Sequence, residues 1–236
     1  MNECNPAGKW IRRVKQLIFA LVALLVFIWV SLEIAISSVS LPGNLWNSGA
    51  GSTIYLDRND RPLRISRNGE DAFVLPVALV DCPKHFLFAV LAAEDKRFWG
   101  HRGVDFFATA RAGRDYFKEG RVVSGASTVT QQLIKISQRR SRTIYTKVIE
   151  SLQAMRLERV WSKRRILEEY LNRLDYGNLC KGPAIAAQYY FDKPLSDLSV
   201  AEAALLAALP NAPTRLNPHG NLNGARARQQ LILDRM

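Results

Sequence analysis

The 236-residue chain has little with which to build metal sites or covalent staples. It holds three cysteines and three histidines. Neither Cys-x-x-Cys nor His-Glu-x-x-His spacing occurs, which excludes a zinc finger and a zincin-type centre. A tightly bound metal or organic cofactor is not expected. Internal repeats and low-complexity tracts are missing too, so neither a solenoid nor a disordered tail fits. The Gly-x-Ser-x-Gly nucleophile elbow is incomplete in Gly125-Ala126-Ser127-Thr128-Val129, where Val129 stands in place of the second glycine, and this disfavours a serine hydrolase. Acidic residues are also short, with 21 Asp and Glu against 33 Lys and Arg, a formal net charge of +12. Such an excess attracts polyanions: nucleic acid, an anionic membrane surface or a phosphorylated substrate. No RNP-like aromatic motif or long basic tail accompanies it, so nucleic acid is not an expected partner.

What is present is a folded composition, 48% hydrophobic and 9% aromatic, and one long apolar run. Leu17 to Val30 is unbroken, and extension to Ile36 gives about 30 Å of helix, enough to cross a bilayer. Lys9, Arg12, Arg13 and Lys15 precede it, so the positive-inside rule keeps the N-terminus cytoplasmic and exports the chain beyond the run. A cleaved signal peptide is the rival reading. The run is long and no clear Ala-x-Ala site comes after it, so an uncleaved anchor is expected. The chain therefore divides into a basic cytoplasmic N-terminus (1–16), a transmembrane anchor (17–36), a Ser/Gly/Pro/Asn-rich linker (37–51) and a globular domain (52–236). Export permits a Cys82 to Cys180 disulfide, but their spacing does not establish one, and free or buried thiols are the expected state.

The domain reads as mainly α. Extended character over Thr53–Leu56 and Ala72–Leu79 precedes helical patterns over Phe86–Phe98, Phe106–Phe117, Thr128–Gln138, Thr143–Trp161, Lys163–Arg173, Gly182–Phe191, Ser199–Leu209 and Leu222–Met236. On the first of these, Glu94 shares a stripe with Leu87, Val90, Leu91 and Phe98. A carboxyl held against apolar neighbours has its pKa raised, as general acid/base chemistry needs. A helix-end Glu that swings to solvent or pairs with a cation is the plain alternative. Thr128 and Gln131 form a capping-box pattern, and Thr128, Gln131 or Gln132, and Lys135 run down one side of a helix whose N-terminus attracts phosphate. Arg139, Arg140, Arg142 and Lys147 surround Glu150 in sequence. Lys147 and Glu150 can pair at i, i+3 as a structural bridge, or two helix-borne carboxylates can divide a glycosyl transfer between them. On the helix of Glu150, Val148, Leu152 and Met155 form one apolar stripe and Ala154, Leu157 and Trp161 another, so it is expected to be buried on two sides. Phe106, Phe107, Tyr116 and Phe117, interleaved with Arg111 and Arg114, suit a lipid interface or an ordinary core.

Glu94-Asp95-x-x-Phe98-x-x-His101-x-Gly103, Gly125-x-Ser127-Thr128-x-Thr130-Gln131-Gln132-x-x-Lys135 and Lys147-x-x-Glu150 with Arg156-Leu157-Glu158 together resemble the ordered motifs of the peptidoglycan glycosyltransferases. Ile166-Leu167-Glu168-x-Tyr170-Leu171-Asn172, Tyr190-Phe191 and Ala201-Glu202-Ala203-Ala204-Leu205-Leu206-Ala207 extend the match, which runs from about Asp57 to Met236. With no transpeptidase motif in these residues, the likeness is to the monofunctional, membrane-anchored form.

The resemblance implies a lysozyme-like helical domain that polymerises lipid II at the outer face of the cytoplasmic membrane. It makes Glu94 the base for the acceptor's 4-hydroxyl and Glu150 the carboxylate at the donor pyrophosphate. Asp95, Phe98, His101, Ser127, Thr128, Gln131, Gln132, Lys135, Arg142 and Lys147 fall on substrate-binding positions. It leaves room for magnesium or manganese at the pyrophosphate, and names lipid II, the growing lipid-linked glycan, the membrane and cell-wall synthesis or division proteins as partners. Three places depart from the family pattern: Ile136 in place of Asn, Thr146 in place of Arg, and the loop 178–183. A non-catalytic lipid-pyrophosphate scaffold and a glycoside hydrolase are the alternatives. Gln131, Lys135 and Arg142 argue against the hydrolase, which has no pyrophosphate to hold.

Overall fold

The computed structural model describes residues 6–47, 51–59, 62–120, 125–138, 140–141 and 143–236, and the chain divides into two compact units between Ser40 and Leu41. The first is one helix, α1 (Pro6–Ser38). Its stretch Arg12–Ser38 is long and apolar enough to cross a membrane and contains the expected span 17–36. Over residues 17–30 its apolar groups point outward all round, with Phe19 77% and Phe27 68% exposed, whereas a globular-core helix hides an apolar stripe.

The second unit begins at Leu41, so the segment read as a linker over 37–51 is partly folded. Leu45 is buried, and Trp46 meets Trp161 edge-on at 5.2 Å between ring centroids. Arg173 donates to the carbonyls of Asn44 and Leu45 at 2.8 and 3.1 Å. Linker composition reports backbone freedom; it cannot show that an arginine 128 residues away captures the carbonyls.

Two small sheets come next. Strand β1 (Ile54–Leu56) pairs antiparallel with β2 (Pro62–Ile65), and β3 (Phe73–Val74) pairs in parallel with β4 (Cys180–Lys181). The extended stretch after Val74 leaves the sheet because side chains take over its hydrogen bonds. Asn172 both accepts from the Val77 N–H and donates to its carbonyl, and Glu168 accepts from the Leu79 N–H. Strand β4 lies within the unusual loop 178–183, where Asn178 and Leu179 have positive φ of 50° and 64°.

The rest is helical: α2 (Lys84–Glu94), α3 (Phe106–Glu119), α4 (Val129–Ser137), α5 (Ile144–Val160), α6 (Lys163–Arg173), α7 (Pro183–Phe191), α8 (Val200–Ala208) and α9 (Leu222–Leu233). The starts obey the sequence, since Thr128 and Ser199 close capping boxes and Thr143 and Ser162 cap α5 and α6. Helix α4 packs on α5 and α6, α2 on α8, and α8 on α9. Phe86, Leu133, Ile134, Leu157, Ile166, Leu167, Tyr170 and Leu206 are fully buried between them, each burial stabilising by roughly 1.5–3 kcal/mol.

Three expectations change. Helix α2 stops at Glu94, so Phe98 is not on its stripe but in a separate 3-10 turn, Phe98–Gly100. Helix α5 buries Ala154 and Leu157, with Trp161 buried at its C-cap, but on the other stripe Val148 is 53% exposed and Leu152 and Met155 are only partly buried, so that side is not fully in the core. On α3, Phe106, Phe107 and Phe117 are all exposed, which rules out core packing for them. Cys82 and Cys180 are free, buried thiols, and burial pushes both up to about 11.

Candidate active site

Helix α2 breaks at Glu94 because Asp95 has better partners outside it. Asp95 adopts φ −158° and ψ 76°, and its carboxylate accepts from the Val129 N–H at 3.0 Å and from His101 Nε2 at 2.9 Å. The Val129 amide opens α4 and has no intrahelical acceptor, so a carboxylate there answers both a free donor and the positive end of the helix dipole. Glu94 is thereby left at the rim of a cleft. It accepts from Gln132 Nε2 at 2.7 Å, and Gln132 Oε1 in turn accepts from the Tyr170 hydroxyl at 3.2 Å. Burial first, and then the charge of Glu94, hold Tyr170 well above the ordinary phenol range. Its hydroxyl keeps its proton and donates, which turns the Gln132 amide so that its NH₂ faces Glu94.

Beneath lies a network of paired buried charges. Lys163 Nζ is 2.8 Å from Glu158 Oε1 and 4.3 Å from the Phe98 ring centroid, and Thr130 Oγ1 donates to Glu158 at 2.6 Å. His101 sits between Asp95 and this pair, with Nδ1 3.5 Å from Lys163. Phe98 is fully buried and the His101 side chain only 8% exposed. Neither is on the cleft wall; both brace Asp95 and the Glu94 turn from below.

Thr128 and Gln131 are likewise occupied within the protein. Thr128 Oγ1 donates to the Gly103 carbonyl at 2.6 Å and caps Gln131 N–H at 3.2 Å, while Gln131 Nε2 donates to Ser151 Oγ at 2.8 Å, tying α4 to α5.

The cleft has a volume of about 950 Å³. It brings together eight of the residues singled out from sequence: Glu94, Asp95, Ser127, Gln131, Gln132, Lys135, Lys147 and Glu150. Glu150 is 12% exposed, with Lys147 Nζ 3.5 Å away, and Lys147 also donates to Ser127 Oγ at 2.8 Å. Thr128 lines a smaller adjoining cavity of about 170 Å³ with Asp105. There burial raises the Asp105 carboxyl, but the Arg97 fork and the Ala108 N–H outweigh it and leave the pKa lowered. Arg142 lies outside the described residues.

Seven cationic side chains line the large cleft against three carboxylates, a balance suited to an anionic ligand. Sequence reasoning passed over Arg228 and Arg235, as well as Pro210 and Asn211 of the turn after α8. The spacing of the two arginines, about two helical turns, was the available signal. The departures from the family pattern separate. Thr146 lines the cleft, but its hydroxyl bonds that of Thr143 at 2.8 Å within the α5 cap, whereas Ile136 is not on the cleft wall.

Fold and cleft define a mainly α-helical protein with a cationic site that holds three carboxylates. The sequence profile of the transglycosylase family matches residues 63–236. The chain belongs to that family. It is 44% identical over 161 residues to penicillin-binding protein 1A of Aquifex aeolicus, covering 68% of this chain and 22% of the relative. It is 48% identical over 159 residues to penicillin-binding protein 1A of Neisseria flavescens, covering 66% of this chain and 20% of the relative. A crystal structure of penicillin-binding protein 1A from Haemophilus influenzae matches 80% of this chain and 18% of its own, at 23% identity and a TM-score of 0.44. The chain thus spans about a fifth of the length of the curated relatives it matches.

Proposed function

We propose that this chain is a peptidoglycan glycosyltransferase that polymerises lipid II into β-1,4-linked glycan strands. The observation that carries the reading is the placement of Glu94 and Glu150 in one cleft crowded with cations. Glu94 takes the proton from the 4-hydroxyl of the acceptor sugar, in the role of general base. The freed oxygen attacks the anomeric carbon of the lipid-linked donor chain with inversion, and the bond to undecaprenyl pyrophosphate breaks. Gln132, oriented by Tyr170, holds the Glu94 carboxylate in place while it acts. Lys147, Ser127 and Lys135 receive the leaving pyrophosphate, with Glu150 holding the Lys147 ammonium beside it. Glu150 supplies one carboxylate, enough for magnesium or manganese held mainly by phosphate and water, and no step here depends on that ion.

In this reading α1 crosses the cytoplasmic membrane once. Arg12, Arg13 and Lys15 keep its N-terminus inside and place the domain outside, where lipid II presents its sugars. Exposed Phe106, Phe107 and Phe117 on α3 suit contact with lipid.

The test is polymerisation of lipid II by purified protein in detergent, monitored as glycan strands. Wild type makes polymer, and Glu94→Gln lowers the rate by about 10²-fold or more while folding and lipid II binding persist. Lipid II binding by folded wild type without any polymer, where a control enzyme works, would identify a scaffold instead.

A further inference from the structure

His101 lies beneath the cleft with a different kind of partner on each ring nitrogen. Nε2 faces both carboxylate oxygens of Asp95, at 2.9 and 3.1 Å, which can only accept. Nδ1 faces the Lys163 ammonium at 3.5 Å, which can only donate. The ring therefore carries its proton on Nε2 and leaves Nδ1 bare, the neutral form. Lys163 also answers Glu158, whose Oε1 is 2.8 Å from the ammonium and 4.0 Å from Nδ1. The ammonium lies 4.3 Å from the Phe98 ring centroid as well. Asp105, the other carboxylate that His101 feels, is held by Arg97. The side chains of His101, Asp95 and Glu158 are 8%, 4% and 6% exposed, so water is a poor substitute for a missing partner.

We infer that Lys163 is a positioning residue for Glu94, acting by keeping His101 neutral. The two carboxylates nearest the ring both anchor the first turn of α4: Asp95 accepts from the Val129 N–H at 3.0 Å, and Glu158 accepts from Thr130 Oγ1 at 2.6 Å. That turn leads to Gln132, which donates to Glu94. An imidazolium would donate from both nitrogens, to Asp95 and to Glu158, and so compete with α4 for both anchors. With Lys163 in place, Glu158 already has its cation, and a proton on Nδ1 would point at a like charge. The role of Glu94 rests on the proposed glycosyltransferase function; the state of the His101 ring does not.

The test reads the ring directly, by nitrogen NMR of the histidine-labelled full chain in detergent micelles, with His101 assigned by the loss of its signals in His101→Gln. At about pH 7.5 wild type shows the neutral tautomer protonated on Nε2. Lys163→Met removes the like charge, and the pH at which His101 takes a second proton rises by about one unit or more relative to wild type. Lys163→Arg keeps the charge and the wild-type titration. In the lipid II assay, the ratio of wild-type to Lys163→Met kcat grows roughly tenfold as pH falls from about 8.5 to about 6. A wild-type ring protonated on Nδ1, or a Lys163→Met titration that matches wild type, overturns the inference. So does a kcat ratio that stays flat with pH, which is what loss of a structural ion pair alone would give. Should Lys163→Met fail to fold, Lys163→Gln, which can still donate to Glu158 without a charge, takes its place, and the wild-type tautomer needs no variant at all. A shifted ring titration with no polymer from wild type sinks the polymerase reading and leaves Lys163 as the residue that keeps His101 neutral.

Discussion

Gly103→Ala is expected to be among the most damaging single-methyl changes in this domain. Gly103 has φ +90°, and a Cβ built there lies 2.6 Å from the Ala154 carbonyl carbon, 2.7 Å from its oxygen and 2.7 Å from Met155 N. These are backbone atoms of α5, which cannot rotate away as a side-chain tip could. The disfavoured φ costs roughly 1–3 kcal/mol and forced overpacking a further ~1–3 kcal/mol, which puts the centre of the expectation at about 4 kcal/mol. At roughly 2–4 °C per kcal/mol for a domain of this size, the unfolding midpoint drops by about 8–16 °C. The Gly103 carbonyl also accepts from Thr128, so the displacement reaches the α4 cap, and α5 carries Lys147 and Glu150 with it. Gly100 is the control, since a Cβ there meets nothing within 4 Å, and Gly100→Ala stays within about 0.5 kcal/mol of wild type. Thermal unfolding in micelles, monitored by near-UV circular dichroism, compares the two. A Gly103→Ala midpoint within about 3 °C of wild type would refute the close-packing argument.

Further expectations concern the site and one cap. Tyr170→Phe removes the donor that orients Gln132 and costs about 1 kcal/mol of stability; because Glu94 loses its fixed geometry, kcat for polymerisation falls roughly tenfold, and unchanged kcat would detach Gln132 from catalysis. Lys135→Ala weakens lipid II binding roughly tenfold through loss of a charge-assisted contact, and equal affinity in a direct binding assay would count against the cationic wall. Glu202, held by Lys193 and then by the Ser199 N–H and hydroxyl, is lowered to about 2 from 4.5. Its folded-state pKa is depressed, so its contribution is complete above about pH 4.5 and is lost as pH falls toward 2. The stability gap between wild type and Glu202→Gln, read as midpoints from pH 6 down to 2, should close over that window; a gap that stays constant would refute the assignment.

Glu94 shows how far sequence reasoning reaches. The ordered motifs single out Glu94, and the apolar stripe read for it keeps Leu87, Val90 and Leu91 but loses Phe98, because the helix ends at Glu94. Asp95 leaves the helix for the Val129 amide and His101, contacts 34 and 6 residues away that no local periodicity encodes. Phe98 and His101 carry the same lesson, since their motif spacing is that of a brace beneath the cleft and not of its wall. The exposure of α3's phenylalanines could not be read either, because an apolar helix face looks the same whether protein or lipid is to cover it.

What the chain determines by itself is local: the apolar run of α1, the helix starts at Thr128, Thr143, Ser162 and Ser199, and the identity of two carboxylates and their cations. These arise from side chains acting on their own backbone within a few residues. Tertiary structure decides which of them meet. Gln132 reaches Glu94 and Tyr170 across 38 residues in each direction, and Arg228 joins the cleft from the last helix, because packing α2, α4, α8 and α9 around one core brings distant residues to a common rim.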